Sequence, residues 1–170
     1  MLSNFRGNVH GLYQKQGRIA VCLLHAYANP THEARIRALL SKAYPEAVVS
    51  LSHELVRQWR EYERTSTTVV NAYVGPPARR YLRSMIGKLS DLGVRGKLMV
   101  MQSSGGILDV EAMLDRPSLI VECGPAAGVI GAAAIGKRAG YDNLISFDMG
   151  GTTAKVSIVE DGNLHISSSC

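Results

Sequence analysis

The stretch Asn143–Gly162, NLISFDMGGTTAKVSIVEDG, decides how this chain is read. Leu144, Ile145 and Phe147 form an apolar run suited to a mostly buried strand, and Val156, Ile158 and Val159 suit its partner. Between the two runs stand Asp148, Gly150, Gly151, Thr152 and Thr153, and the second run closes at Asp161-Gly162. Paired glycines admit positive φ and leave no Cβ between the main chain and a ligand. Successive N–H groups in such a turn make a concavity for anions, and two threonine hydroxyls add donors. Asp148, at the end of its strand, is placed to hold Mg²⁺ or its water shell, because hard cations prefer carboxylate oxygen. The pattern predicts a phosphate loop for a nucleotide. By itself it would equally serve a glycine-rich hairpin that binds nothing.

Composition narrows the class. The chain has 170 residues, long enough for an ordinary domain, and its 46% hydrophobic content can build a core. With 19% charged residues it has neither a disordered nor a coiled-coil composition. The net charge of +5 comes from 19 basic and 14 acidic residues, scattered except for Arg79, Arg80 and Arg83. That cluster reads as a solvated helix face without interleaved aromatic platforms, which argues against nucleic acid binding. Cys22, Cys123 and Cys170 show no CxxC pairing and cannot all form intrachain disulfides, so a reducing cytoplasm is expected. The first residues, MLSNFRGNVHG, lack the apolar stretch of a signal peptide. The longest apolar tract, around Val129 to Ile135, is too short and small-sided to span a bilayer. No membrane partner is expected.

Upstream, Ile19–Leu24 is a continuous apolar run, the signature of a strand covered on both faces. Asn29-Pro30-Thr31 opens a helix with the stripe Ile36, Leu39, Leu40 and Ala43, and Pro45 stops it. Val48, Val49 and Leu51 then make a strand, giving β-α-β. His25 and His32 match no common zinc spacing. His53 and Glu54 form an acid/base pair only on paper, since neighbours on a strand point to opposite faces. Residues 57–68, RQWREYERTSTT, are expected as an exposed helix entrance. Pro76-Pro77 should interrupt or kink the helix that follows. Ala78, Tyr81, Leu82, Met85, Ile86 and Leu89 continue at amphipathic spacing, and Tyr73 and Tyr81 are assigned to the core. Residues 97–102 make a buried strand closed by Ser103-Ser104-Gly105-Gly106. Gly124-Pro125-Ala126-Ala127-Gly128 starts a helix of small residues running to about Lys137, expected to be buried backbone-close against a neighbour.

A small-residue helix, a strand and D-x-G-G-T-T in that order resemble part of the actin-like ATPase fold. Within it, AVCLLHAYANPTHEARI, LSHEL, REYERTSTTVVNAYVGP, VMQSSGG, GPAAGVIGAA and ISFDMGGTTAKVSIVEDG resemble the hydantoinase A / 5-oxoprolinase family over residues 18 to 162. Related members are the ATP-binding subunits of acetone and acetophenone carboxylases. The resemblance implies an α/β fold, part of a ribonuclease-H-like two-lobe actin-like ATPase with mixed sheets flanked by helices. Residues 1–122 would be the remainder of the first lobe with a helical insertion, 123–140 the connecting helix, and 141–170 the start of the second lobe. No second D-x-G-T hairpin precedes residue 143, so the first phosphate loop and the adenosine site are expected outside this chain, as for an internal fragment inactive alone.

By resemblance, Asp148, Gly150, Gly151, Thr152 and Thr153 look like the family's second phosphate loop, with Asp148 the Mg²⁺ ligand and ATP the nucleotide. Lys155 stands where many members have an acidic residue, and Cys123 where serine is usual. Glu61, Arg64, Thr65 and Ser66 fall in the family's most recognisable stretch and are expected to face the cleft. The implied function is ATP-dependent opening of a cyclic amide by phosphorylation of its oxygen. The implied partners are a hydantoinase B-type subunit or domain and further copies in an oligomer. The same motifs fit a carboxylase subunit that phosphorylates a ketone enol and bicarbonate. A non-enzymatic, nucleotide-switched binding module is the third reading, which LSHEL and REYERTSTT do not favour.

Overall fold

The computed structural model describes residues 17–164. The first residues, read above for a leader, and Cys170 lie outside that range. The described chain forms two compact units. One runs to Leu92 and takes in Arg116–Ser118, and the other comprises Gly93–Asp115 and the chain from Leu119.

In the first unit, strand β1 (Arg18–Val21) pairs in parallel with β2 (Val48–Leu51), in register from Arg18↔Val48 to Val21↔Leu51. Helix α1 (Thr31–Ala43) crosses between them, as the β-α-β pattern requires. Pro30 stands at its N-cap position, and Asn29 Oδ1 accepts from the Thr31 N–H at 3.1 Å. The core gathers Val21, Leu40 and Leu51, with Ile19, Ile36 and Val49 packed on it. The strand is shorter than its apolar run, because the chain turns after Val21 and leaves Leu24 exposed.

A one-turn helix α2 (Ser52–Leu55) leads to α3 (Glu61–Asp91), which passes through Pro76 and Pro77 unbroken. The expected interruption does not occur. Pro77 has no N–H to offer the carbonyl of Tyr73 four residues back, but Arg18 Nη1 donates to that oxygen at 2.9 Å. Tyr73 and Tyr81, expected in the core, are each 64% exposed. Arg18 lies over the Tyr73 ring at 5.5 Å, so the ring stacks on the surface instead.

In the second unit, β3 (Met99–Met101) and β4 (Ile107–Asp109) form an antiparallel hairpin around Ser103–Gly106. Helix α4 (Val110–Asp115) follows, and the chain then passes through a 3₁₀ turn (Pro117–Ile120) whose first two residues belong to the first unit. Helix α5 (Cys123–Arg138) then leads into an antiparallel sheet of β5 (Leu144–Met149), β6 (Ala154–Glu160) and β7 (Asn163–Leu164).

Three burial expectations fail here, the first at β3, where no residue of 97–102 is buried and Met99 is 49% exposed. Helix α5 buries only Gly136, where a Cβ would clash with Leu144 Cδ2; its alanines and Val129 stay partly open. Strands β5 and β6 cover one face only. Ile145 pairs with Ile158 and Phe147 with Val156 on the outer face, where Ile145 is 71% and Phe147 62% exposed. The two-residue period sends these side chains away from α5. No helix among the described residues is long and apolar enough to cross a membrane.

Candidate functional site

The predicted phosphate loop is a tight connection between β5 and β6. Met149 pairs with Ala154, so Gly150–Thr153 make the whole turn, closed by Gly150 N donating to the Thr153 carbonyl at 3.0 Å. All four residues are exposed, and a Cβ at Gly150 or Gly151 would meet nothing within 4 Å. A ligand can therefore reach the backbone at both glycines.

Asp148 stands at the mouth of this turn, opposite Lys155 in the β5–β6 register. Lys155 does not neutralise it: the ammonium pairs with the Glu122 carboxylate at the start of α5. Among the described residues the Asp148 carboxylate has neither an ion pair nor a hydrogen bond. Its Oδ2 lies 3.8 Å from the point where Gly128 of α5 would carry a Cβ. No group of three or more His, Cys, Asp or Glu among the described residues could hold a metal ion. A single exposed carboxylate does not make a closed metal cage. It does suit Mg²⁺, which keeps several waters and is bound through one or two carboxylates plus substrate phosphates.

The start of α5 is fastened to the β3–β4 hairpin. Ser103 Oγ donates to the Leu119 carbonyl at 2.7 Å and accepts from Glu122 N–H at 3.1 Å. Ser103, Ser104 and Gly105 also line a groove of about 620 Å³ with Ala126, Val129 and Ser157. The residues of the predicted phosphate loop do not line it.

The first unit holds a second polar cluster. Glu33 on α1 is fully buried and accepts four hydrogen bonds. Leu23 N–H reaches Oε1 at 2.9 Å and Ser52 Oγ the same oxygen at 2.7 Å. His53 N–H and Nδ1 reach Oε2 at 3.1 and 2.7 Å. Burial pushes the Glu33 carboxyl up, but the bonds from Ser52, His53 and Leu23 outweigh it and hold the group below its ordinary value of 4.5. Glu54, the sequence neighbour of His53, turns instead to Arg37 at 2.5 Å.

Arg64 of α3 is also fully buried, against the expectation of an exposed helix entrance. Its Nη2 donates to the Leu23 carbonyl at 2.7 Å, and the guanidinium lies 5.4 Å from the Tyr27 ring centre. Of the residues expected to face a cleft, Arg64 packs inward while Thr65 and Ser66 are exposed. Thr68 and Asn71 are buried on the same stripe, Asn71 donating to Ser50 Oγ at 3.0 Å. Residues 64, 68, 71, 72 and 75 follow helical spacing, so the buried face was present in the sequence. A search for apolar periodicity misses it because three of its members are polar.

The model of the hydantoinase/oxoprolinase family matches residues 64–170. The caprolactamase alpha subunit of Pseudomonas jessenii is 34% identical over 154 residues, covering 91% of this chain and 22% of that subunit. Its crystal structure, described as an ATP-dependent caprolactamase, superposes with a TM-score of 0.71 over 86% of this chain and 21% of that one. The 5-oxoprolinase of Saccharomyces cerevisiae is 36% identical over 151 residues, covering 86% of this chain and 11% of that protein. A nucleotide-free acetone carboxylase structure, 30% identical, gives a TM-score of 0.76 over 85% of this chain and 20% of that one. The chain thus spans about a fifth or less of these relatives. A family match over more than half the chain, together with two structural likenesses at 30% identity or above, establishes that this chain belongs to the hydantoinase/oxoprolinase family.

Proposed function

We propose that this chain is the phosphate-binding part of an ATP-dependent cyclic-amide hydrolase. The observation that carries the reading is the unpaired Asp148 carboxylate beside an open Gly150-Gly151-Thr152-Thr153 turn. An amide carbonyl is a poor electrophile, and transfer of a phosphoryl group to its oxygen makes an activated imidate that water can attack. Charge neutralisation and positioning do most of the work in such a transfer. The glycine N–H groups and the hydroxyls of Thr152 and Thr153 would orient the terminal phosphate of ATP. Asp148 would hold Mg²⁺, which when bound would offset the charge on the phosphate oxygens. Lys155, by occupying Glu122, leaves that carboxylate free for the task.

In this reading the hairpin is the second phosphate loop of a two-lobe actin-like ATPase, with α5 the connecting helix and residues 141–170 opening the second lobe. The first phosphate loop, the adenosine site and a B-type partner subunit complete the enzyme, in a cytoplasmic oligomer. The likeness to an acetone carboxylase structure supports a second reading, in which the phosphoryl acceptors are a ketone enol and bicarbonate.

The test uses the complete protein with Mg²⁺-ATP and 5-oxoproline, a hydantoin, or acetophenone with bicarbonate. A cyclic amide should stimulate ATP hydrolysis, and Asp148→Ala should abolish it. Normal turnover by that variant would sink the assignment. Stimulation by the ketone pair alone would move the chain to the carboxylases.

A further inference from the structure

One cation beside the glycine turn has so far only a supporting part. We propose that Lys155 binds the terminal phosphates of the nucleotide, and that Glu122 is the resting partner it gives up when they arrive. The proposal rests on the function proposed above and uses residues of the second unit alone.

Three observations carry it. First, Lys155 is the register partner of Asp148, one pair in from Met149 and Ala154, which close the turn. Cross-strand partners point to the same face of a hairpin, with Cβ atoms about 5 Å apart. The lysine therefore rises from the face that carries Asp148, two residues from Thr153.

Second, its present partner holds it weakly. The side chains of Lys155 and Glu122 are 37% and 58% exposed. An ion pair so open to water contributes little, because solvent screens it and two long side chains must be ordered to make it. A triphosphate offers the same ammonium several oxygens and more than one negative charge, beside a turn whose backbone is open at both glycines. A lysine meets phosphate as a point charge on a flexible stem, so a change of partner needs only a change of rotamer.

Third, the beginning of α5 lies along the same face. Glu122 stands at its N-cap position and pairs with Lys155, and the Cβ position of Gly128 is 3.8 Å from Asp148 Oδ2. No side chain caps this helix and no acidic residue lies in its first turn. Its positive end therefore favours an anion arriving there and does not oppose one. With Lys155 turned from Glu122, ammonium, helix end and glycine turn all present positive charge or donors to one phosphate chain.

The competing account makes the Lys155–Glu122 pair a clasp that fastens α5 to the hairpin. The two accounts differ in what the two halves of the pair do. Binding of ATP, ADP and AMP to the complete protein, with Mg²⁺, is measured by titration calorimetry. Lys155→Met keeps the apolar stem and removes the charge. Its Kd for ATP should rise roughly 10- to 100-fold, the worth of a hydrogen bond to a charged group. The loss should be smaller for ADP and absent for AMP. Glu122→Gln frees the lysine, and ATP should bind as well as to wild type or a few-fold tighter. Unchanged ATP binding in Lys155→Met, an equal loss for all three nucleotides, or an equal loss in Glu122→Gln would overturn the proposal. Wild-type protein that binds no ATP would instead bring down the phosphate-loop reading itself, and this assignment with it.

Discussion

Replacing Glu33 by glutamine tests the physical account of the first unit. The carboxylate takes four donors, two on each oxygen. Glutamine can keep Leu23 N–H and Ser52 Oγ on its remaining oxygen, but it presents an NH₂ group to the two His53 donors. The imidazole can change tautomer and accept from that NH₂; the His53 backbone N–H cannot. One buried N–H is therefore orphaned, at about 1–3 kcal/mol, and the surviving bonds lose their charge assistance, at roughly 0.5–1 kcal/mol each. The sum is about 2–6 kcal/mol, which brackets the cost of breaking a buried charged pair. Urea unfolding at neutral pH, followed by circular dichroism, measures it. The acid limb adds a second reading. Because Glu33 titrates below 4.5 in the folded state, its contribution is complete above the ordinary carboxylate value and is lost as pH falls through the depressed one. Wild-type stability should fall there, and the variant should lack that component. A loss under about 1 kcal/mol with an unchanged acid limb would refute the reasoning.

Three further changes probe other joints. Arg18→Met removes the donor that serves the Tyr73 carbonyl beside Pro77, and should cost about 1–2 kcal/mol; hydrogen exchange in the middle of α3 should rise with it. Gly136→Ala would place a Cβ in clash with Leu144 Cδ2 and 3.1 Å from the Tyr141 carbonyl, forcing α5 and β5 apart. Overpacking of that kind costs about 1–3 kcal/mol by denaturant titration, and an unchanged midpoint would show that the helix shifts freely. Lys155→Ala breaks only the exposed pair with Glu122, so stability should change by less than about 1 kcal/mol in urea. A larger loss would mean that this pair holds the hairpin in place.

Much of the candidate site was legible as a hairpin because its signals are local. Asp148, the two glycines and the two threonines need only a hairpin to come together, and apolar runs on either side of a turn specify one. The β-α-β order of the first unit followed from short runs, Pro30 and Pro45 in the same way. The Glu33–His53 pair was not legible: the two residues are 20 apart, and only parallel pairing of β1 with β2 brings α1 beside the strand end. Sequence adjacency offered Glu54 as the partner, and Arg37 takes it.

The sequence by itself determined the family, the β-α-β order of the first unit and the hairpin around Gly150–Thr153, since each depends on a few consecutive side chains. The tertiary structure alone decided which charges are buried, how α3 runs through two prolines, and which partner His53 and Lys155 choose. Those outcomes depend on donors supplied from distant parts of the chain. A run of residues fixes what a segment can form, and only the packed neighbours fix which polar groups must be satisfied within it.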